Sequence, residues 1–208
     1  LGIILYWIGR TSKHQSGTGV MGRREALLLV SASWIVGAII SSLPFYFWGR
    51  TSENASHPFH SVVNCFFEAM SGLTTTGATI LVDISSVPDP LLFWRAMIQW
   101  LGGLGIVVLF VAVLPSLGAG GKKLFRIEAP GPEPEGVRPH IRETARILWI
   151  IYVCLTGAEI ITYKLAGMSW FDSSCHSLTT LATGGFSTHS SSTGAFGSKT
   201  IDIITIVF

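Results

Sequence analysis

The sequence predicts an all-α membrane protein in which a transmembrane helix, a re-entrant half-helix with its following loop, and a second transmembrane helix form a unit that is written twice. Three observations predict it. Only 12% of the 208 residues are charged while 49% are hydrophobic, and a soluble domain carries about twice that charged share. Long uncharged runs recur along the chain. Finally, two moderately apolar stretches resemble each other at an offset of 108 residues, as Asn64 and Asp172 show. The mean hydropathy of +0.52 agrees. A net charge of +2 is too small for the basic footprint that nucleic acid requires, so no nucleic-acid partner is expected. Cys65, Cys154 and Cys175 are far apart in apolar text and indicate neither a disulfide framework nor a zinc site.

The elements follow in order. Residues 1–9 are apolar but too short to cross, and read as the end of a preceding transmembrane helix. The chain opens at Leu1 without a methionine, which reads as an internal piece of a longer protein. Residues 10–24 form a basic loop. The first unit, residues 25–114, begins with Ala26 to Trp48, 23 residues without a charge, or about 35 Å of helix against a hydrocarbon core of ~30 Å. A half-helix at 64–73 and a loop at 74–79 follow. A second span from about Leu91 to Leu114 is closed by Pro115, Gly118, Gly120 and Gly121. Residues 115–140 are a connector. The second unit, 141–208, contains a span from Ile147 to Ala166 that carries Glu159 and Lys164, a half-helix at 172–181, a loop at 182–188, and the start of a further span at Ile201.

Basic residues set the orientation, because short loops rich in Lys and Arg stay cytoplasmic. Arg10, Lys13, Arg23 and Arg24 precede the first span, and Lys122, Lys123, Arg126, Arg138, Arg142 and Arg146 lie between the second and third. Both groups belong on one side, so an even number of crossings separates them. Arg50, Arg95, Lys164 and Lys199 are scattered through the opposite side. The stretches Phe59 to Val82 and Gly167 to Thr188 must then dip in from outside and return. Non-helical backbone at membrane depth is tolerated only where protein shields it or it lines a watery path.

Within the repeat, Ser71 falls on Thr179, Leu73 on Leu181, Thr75 on Thr183 and Gly77 on Gly185. Asn64 and Asp172 are expected as helix N-caps. Each half-helix runs into a Thr and Gly stretch, LTTTGAT in the first copy and LATGGFST in the second. Glycine allows dihedrals that other residues resist, which suits a backbone whose carbonyls must face an ion. The half-helix adds the partial negative charge of its C-terminal end.

The phrases FFEAMSGLTTTGATIL, FWRAMIQWLGGLGIVVL, LPSLGAGGKKLFRIEAPGP and HSLTTLATGGFSTH resemble the Trk/Ktr superfamily of potassium transporters, and within it the bacterial Trk-type uptake subunits. The resemblance covers nearly the whole chain. It implies a potassium-channel-like pore of four pseudo-equivalent units around one ion path, of which the chain supplies the end of a preceding hairpin, the first unit and most of the second. The filter glycines would be Gly77 and Gly185, with Thr75, Thr76, Thr183 and Gly184 offering adjacent carbonyls as potassium-binding groups. Glycine at both positions favours potassium, since some plant members with serine at the first also pass sodium. The resemblance further implies a multi-pass transporter, of symporter type and not an enzyme, in a bacterial inner membrane. Potassium is its substrate, it has no cofactor, it forms a homodimer, and the Lys122 to His140 loop lies near a cytosolic nucleotide-binding regulatory subunit.

Other features have plainer readings. Gly17, Gly19 and Gly22 spell GxGxxG, but no strand precedes them and a span follows, so they form a loop. Gly102, Gly103 and Gly105 permit close helix packing. Asn54 heads a sequon that a bacterial protein leaves bare. Glu68 and His176 share one repeat position at membrane depth; hydrogen bonds that hold the filter loop are expected of them ahead of direct contact with the ion. His57, His60, His176 and His189 lack zincin spacing. Two rival functions remain open, an ion-coupled secondary transporter with broken helices and a non-transporting membrane scaffold subunit.

Overall fold

The computed structural model describes residues 23–52, 57–117 and 141–208. The stretches 1–9 and 10–22, with Gly17, Gly19 and Gly22, lie outside the described residues, as do Asn54 and the connector from 118 to 140. The described residues form helices and short turns, with no strand among them. From Gly37 onward they belong to one compact unit, and the part of α1 up to Val36 belongs to another.

The long helices are α1 (Arg23–Thr51), α3 (Asp89–Leu117) and α4 (Ile141–Leu165). Val30–Thr51 and Ala145–Leu165 are long and apolar enough to cross a membrane. Pro44 sits inside α1, which membrane helices tolerate because neighbouring groups take up the freed carbonyl. Pro115 does not end α3 at Leu114 as expected. The helix continues to Leu117, since one proline forfeits a single backbone bond and need not stop a helix.

The half-helices are α2 (Val62–Leu73) and α5 (Trp170–Leu181), 12 residues each. At ~1.5 Å per residue they reach about 18 Å, short of a bilayer. Both begin two residues before the expected 64 and 172, and neither Asn64 nor Asp172 is the cap. Ser61 takes that position for α2, while the Asn64 amide donates to the Pro58 carbonyl at 3.0 Å in the turn before the helix. For α5 the cap is Ser169, whose Oγ accepts from the Asp172 backbone N–H at 3.0 Å and donates to the Asp172 carboxylate at 2.6 Å. The arrangement resembles a capping box, with an aspartate in the third helical position that accepts from the serine hydroxyl; the expected caps lie three residues too far on, because serine is as good a cap as asparagine or aspartate. A last helix, α6, spans Lys199–Val207.

Three apolar clusters and a set of indole contacts among the described residues position these elements. Phe45, Phe59, Cys65, Leu91 and Ile98 belong to the largest, Tyr163, Met168, Ile201 and Ile204 to a second, and Ala96, Cys175 and Leu178 to a third. Trp94 Nε1 donates to the Ser41 carbonyl at 2.9 Å, tying α3 to α1. Trp100 Nε1 donates to Thr156 Oγ1 at 2.9 Å, and Tyr152 donates to the Trp100 carbonyl at 3.2 Å, tying α3 to α4. Gly102 and Gly103 serve close approach: a methyl group on Gly102 would strike the Leu73 carbonyl, and one on Gly103 would press on Tyr152 and Ala182. The three cysteines are unpaired.

Candidate ion-coordination site

Each half-helix ends in the same turn. Thr75 N–H donates to the Gly72 carbonyl at 3.0 Å and Thr76 N–H to the Ser71 carbonyl at 2.9 Å. In the second copy Thr183 N–H donates to the Thr180 carbonyl at 2.7 Å and Gly184 N–H to the Thr179 carbonyl at 2.8 Å. Every donor and acceptor matches at the 108-residue offset. The dihedrals repeat as well: Thr75 and Thr183 have φ of +55° and +53°, and Gly77 and Gly185 of +75° and +81°. Left-handed φ is unstrained for glycine. For a β-branched threonine it is a genuine outlier, and outliers of this kind gather where function demands them.

The structure brings the two turns into contact. A methyl group on Gly77 would run into the Gly184 carbonyl oxygen, whereas one on Gly185 would meet nothing within 4 Å. Gly184 is buried while Thr183 and Gly185 are exposed. Its small size has a packing reason, since the Gln99 amide occupies the space that a side chain would need. A cavity of about 480 Å³ lies against the second turn, lined by Thr183, Gly184 and Gly185 together with Thr179, Thr180 and Thr205. Beside the first turn, Phe66, Phe67, Met70, Thr74 and Thr76 line one of about 350 Å³.

The segment leaving each turn is braced by the same repeat position of its half-helix. Glu68, fully buried, accepts from Thr79 Oγ1 at 2.8 Å and from the Ile80 N–H at 3.1 Å. His176, at the equivalent position, bonds Ser187 Oγ through Nε2 at 3.0 Å and the Asp172 carbonyl through Nδ1 at 2.9 Å. Thr79 and Ser187 are themselves 108 residues apart. Glu68 and His176 thus hold the loops by hydrogen bonds, and the hydroxyl pair that receives them was legible in the repeat but not singled out.

Sequence reasoning also missed Arg95. Counted among the scattered outer-side charges, it is in fact 1% exposed and paired with Glu68 at 2.8 Å. Its signal was an isolated arginine within an apolar helix, a position that calls for a partner. Glu159 is likewise fully buried on α4. After the second turn, Thr188 donates to Asp172 at 2.6 Å, and His189 lies 3.4 Å from the same carboxylate.

The TrkH family model, described as a cation transport protein, matches residues 3–208. The chain is 47% identical over 209 residues to the Trk system potassium uptake proteins TrkH of Escherichia coli K12 and Salmonella typhimurium, covering 100% of itself and 41% of each. It is 44% identical to the TrkH of Vibrio parahaemolyticus. The crystal structure of the potassium transporter TrkH from Vibrio parahaemolyticus aligns with a TM-score of 0.73 at 40% identity, over 99% of this chain and 40% of that one. The chain therefore spans about two fifths of the length of these relatives.

Proposed function

The chain belongs to the TrkH family of cation transport proteins, and from that membership we propose that it contributes two of the filter turns through which a bacterial inner-membrane transporter takes up potassium. The carbonyls of Thr75, Thr76, Gly77, Thr183, Gly184 and Gly185 replace the water around a dehydrated ion. The observation that carries this reading is the pair of turns with identical hydrogen bonds and left-handed residues at Thr75 and Thr183. A loop that merely packed would have no reason to keep a strained threonine twice. The C-terminal ends of α2 and α5 run directly into these turns and add partial negative charge.

The proposal extends to a multi-pass symporter that is no enzyme, needs no cofactor beyond its potassium substrate, pairs as a homodimer, and meets a cytosolic nucleotide-binding subunit near its connector. What supports these parts is the family alone. The test is ion flux through a full-length transporter carrying this segment, reconstituted in liposomes, with potassium, rubidium, sodium and lithium in turn. Potassium and rubidium should pass far faster than sodium and lithium, and Gly77→Ser should erode that preference. Equal passage of all four, or none of any, would favour the secondary-transporter or scaffold readings.

A further inference from the structure

Two side chains of α3, one helical turn apart, reach from the first unit to the filter turn of the second. Arg95 and Gln99 are 1% and 0% exposed. On its own side, Arg95 donates through Nε to Glu68 at 2.8 Å and through Nη2 to Thr79 Oγ1 at 3.2 Å. On the other side, Nη1 donates to the Ser187 carbonyl at 3.4 Å, and the guanidinium carbon lies 4.1 Å from the centre of the Phe186 ring. Gln99 Oε1 accepts the Phe186 N–H at 3.2 Å.

That last bond has a geometric consequence. The Phe186 N–H and the Gly185 C=O belong to one planar peptide, and in a trans peptide the two point in opposite directions; no peptide among the described residues is cis. By holding the N–H, Gln99 turns the Gly185 carbonyl away from itself, out of the packed seam. Gly185 is exposed, while Gly184 and Phe186 on either flank are buried. The same bond orients the amide, placing Nε2 toward Gly184 and Gly77, and Nε2 has no hydrogen-bond partner although fully buried. An unpaired buried donor is costly, so core packing alone would favour an apolar residue of this size. At the 108-residue offset the second unit has Ile203 and Val207 instead, so this device belongs to the first unit only.

We propose that Gln99 and Arg95 are positioning residues for ion discrimination, acting between units: Gln99 aims the Gly185 carbonyl and Arg95 anchors the segment that follows it. The inference rests on the reading of 74–79 and 182–188 as filter turns. It makes selectivity a property of the seam between units as well as of each hairpin.

The test uses a full-length transporter carrying this segment, in liposomes, with the potassium to sodium permeability ratio measured beside potassium flux per folded protein. Gln99→Met keeps the volume and loses the acceptor. It should lower the ratio about tenfold or more while flux changes less than about threefold; Gln99→Glu, which retains an acceptor for Phe186 N–H, should hold the ratio within about threefold. A purely structural role would lower all fluxes together and leave the ratio alone. Should Gln99→Met not fold, the double variant Glu68→Leu/Arg95→Met, which removes both buried charges at once, is expected to show the same drop. Gly185→Ser is the control. If it shifts the ratio while the folded Gln99 or double variant does not, the positioning role is overturned and the filter stands. If Gly185→Ser also leaves the ratio unchanged, the filter reading fails and the clamp with it.

Discussion

Thr75 and Thr183 carry the clearest mark of function at the scale of single residues. A non-glycine residue held at such dihedrals costs on the order of 1–3 kcal/mol, and glycine in either place would relieve it. Thr75→Gly is therefore expected to leave the melting temperature in detergent unchanged or raised, while the potassium to sodium ratio falls because the loosened turn no longer holds its carbonyls. A lowered melting temperature would show that the threonine serves packing instead. The two glycines two residues on are not equivalent despite their matching φ. Gly77→Ala adds a methyl group against the Gly184 carbonyl, whereas Gly185→Ala meets open space and bears the dihedral strain alone. Gly77→Ala should accordingly be the more destabilising, and thermal melting of the two variants side by side decides it.

The half-helices differ at the next scale in what braces them. In the first unit the brace is an ion pair, Glu68 with Arg95, both at most 1% exposed. In the second it is the hydrogen bond of His176 to Ser187. Removing one member of a buried ion pair strands the other charge, at ~3–5 kcal/mol, while losing a buried hydrogen-bond partner costs about 1–3 kcal/mol. Glu68→Ala should thus lower the melting temperature more than His176→Ala, and restoring stability by adding Arg95→Met to Glu68→Leu would confirm charge stranding as the cause. The loop before α2 supplies a pH dependence. His57 accepts the Phe59 N–H on Nδ1 at 3.2 Å, and burial, helped by nearby His60, holds its pKa below 6.5. A depressed folded value means the unfolded chain binds the proton more readily, so stability is full above the unfolded value and is lost as pH falls below it. Melting temperature should decline from pH 7 to pH 5, with a shallower slope in His57→Asn, which can still accept the Phe59 N–H.

For the molecule as a whole, the asymmetric distribution of Lys and Arg predicts that Lys13 and Lys122 face the cytoplasm and Asp89 the outside. A membrane-impermeant thiol reagent applied outside should label a cysteine placed at 89 and spare those at 13 and 122; labelling at 122 would reverse the re-entrant reading. On the proposed four-unit pore, two turns make only half of a carbonyl ring, so the 208-residue chain as a monomer should pass no potassium in liposomes. The long apolar helices, the half-helices and the repeat were readable because each rests on a run of residues near in sequence: α1 and α4 hold segments long and apolar enough to cross a membrane, and the half-helices repeat at a fixed offset. Gly77 and Gly185 were readable because a left-handed backbone selects its residue type locally. The start of α2 at Ser61 and of α5 at Ser169 was not, since several residues in succession can cap a helix and neighbouring turns decide among them. Nor was the partnership of Arg95 with Glu68 and Ser187, or of Gln99 with Phe186, which lies 87 residues away in sequence. Composition and spacing determined that two half-helices, each folding back into a Thr and Gly turn, alternate with long apolar helices. Which side chains lock the two folds together was decided only in three dimensions, because a buried charge or amide takes whatever partner the packing of distant helices brings within reach.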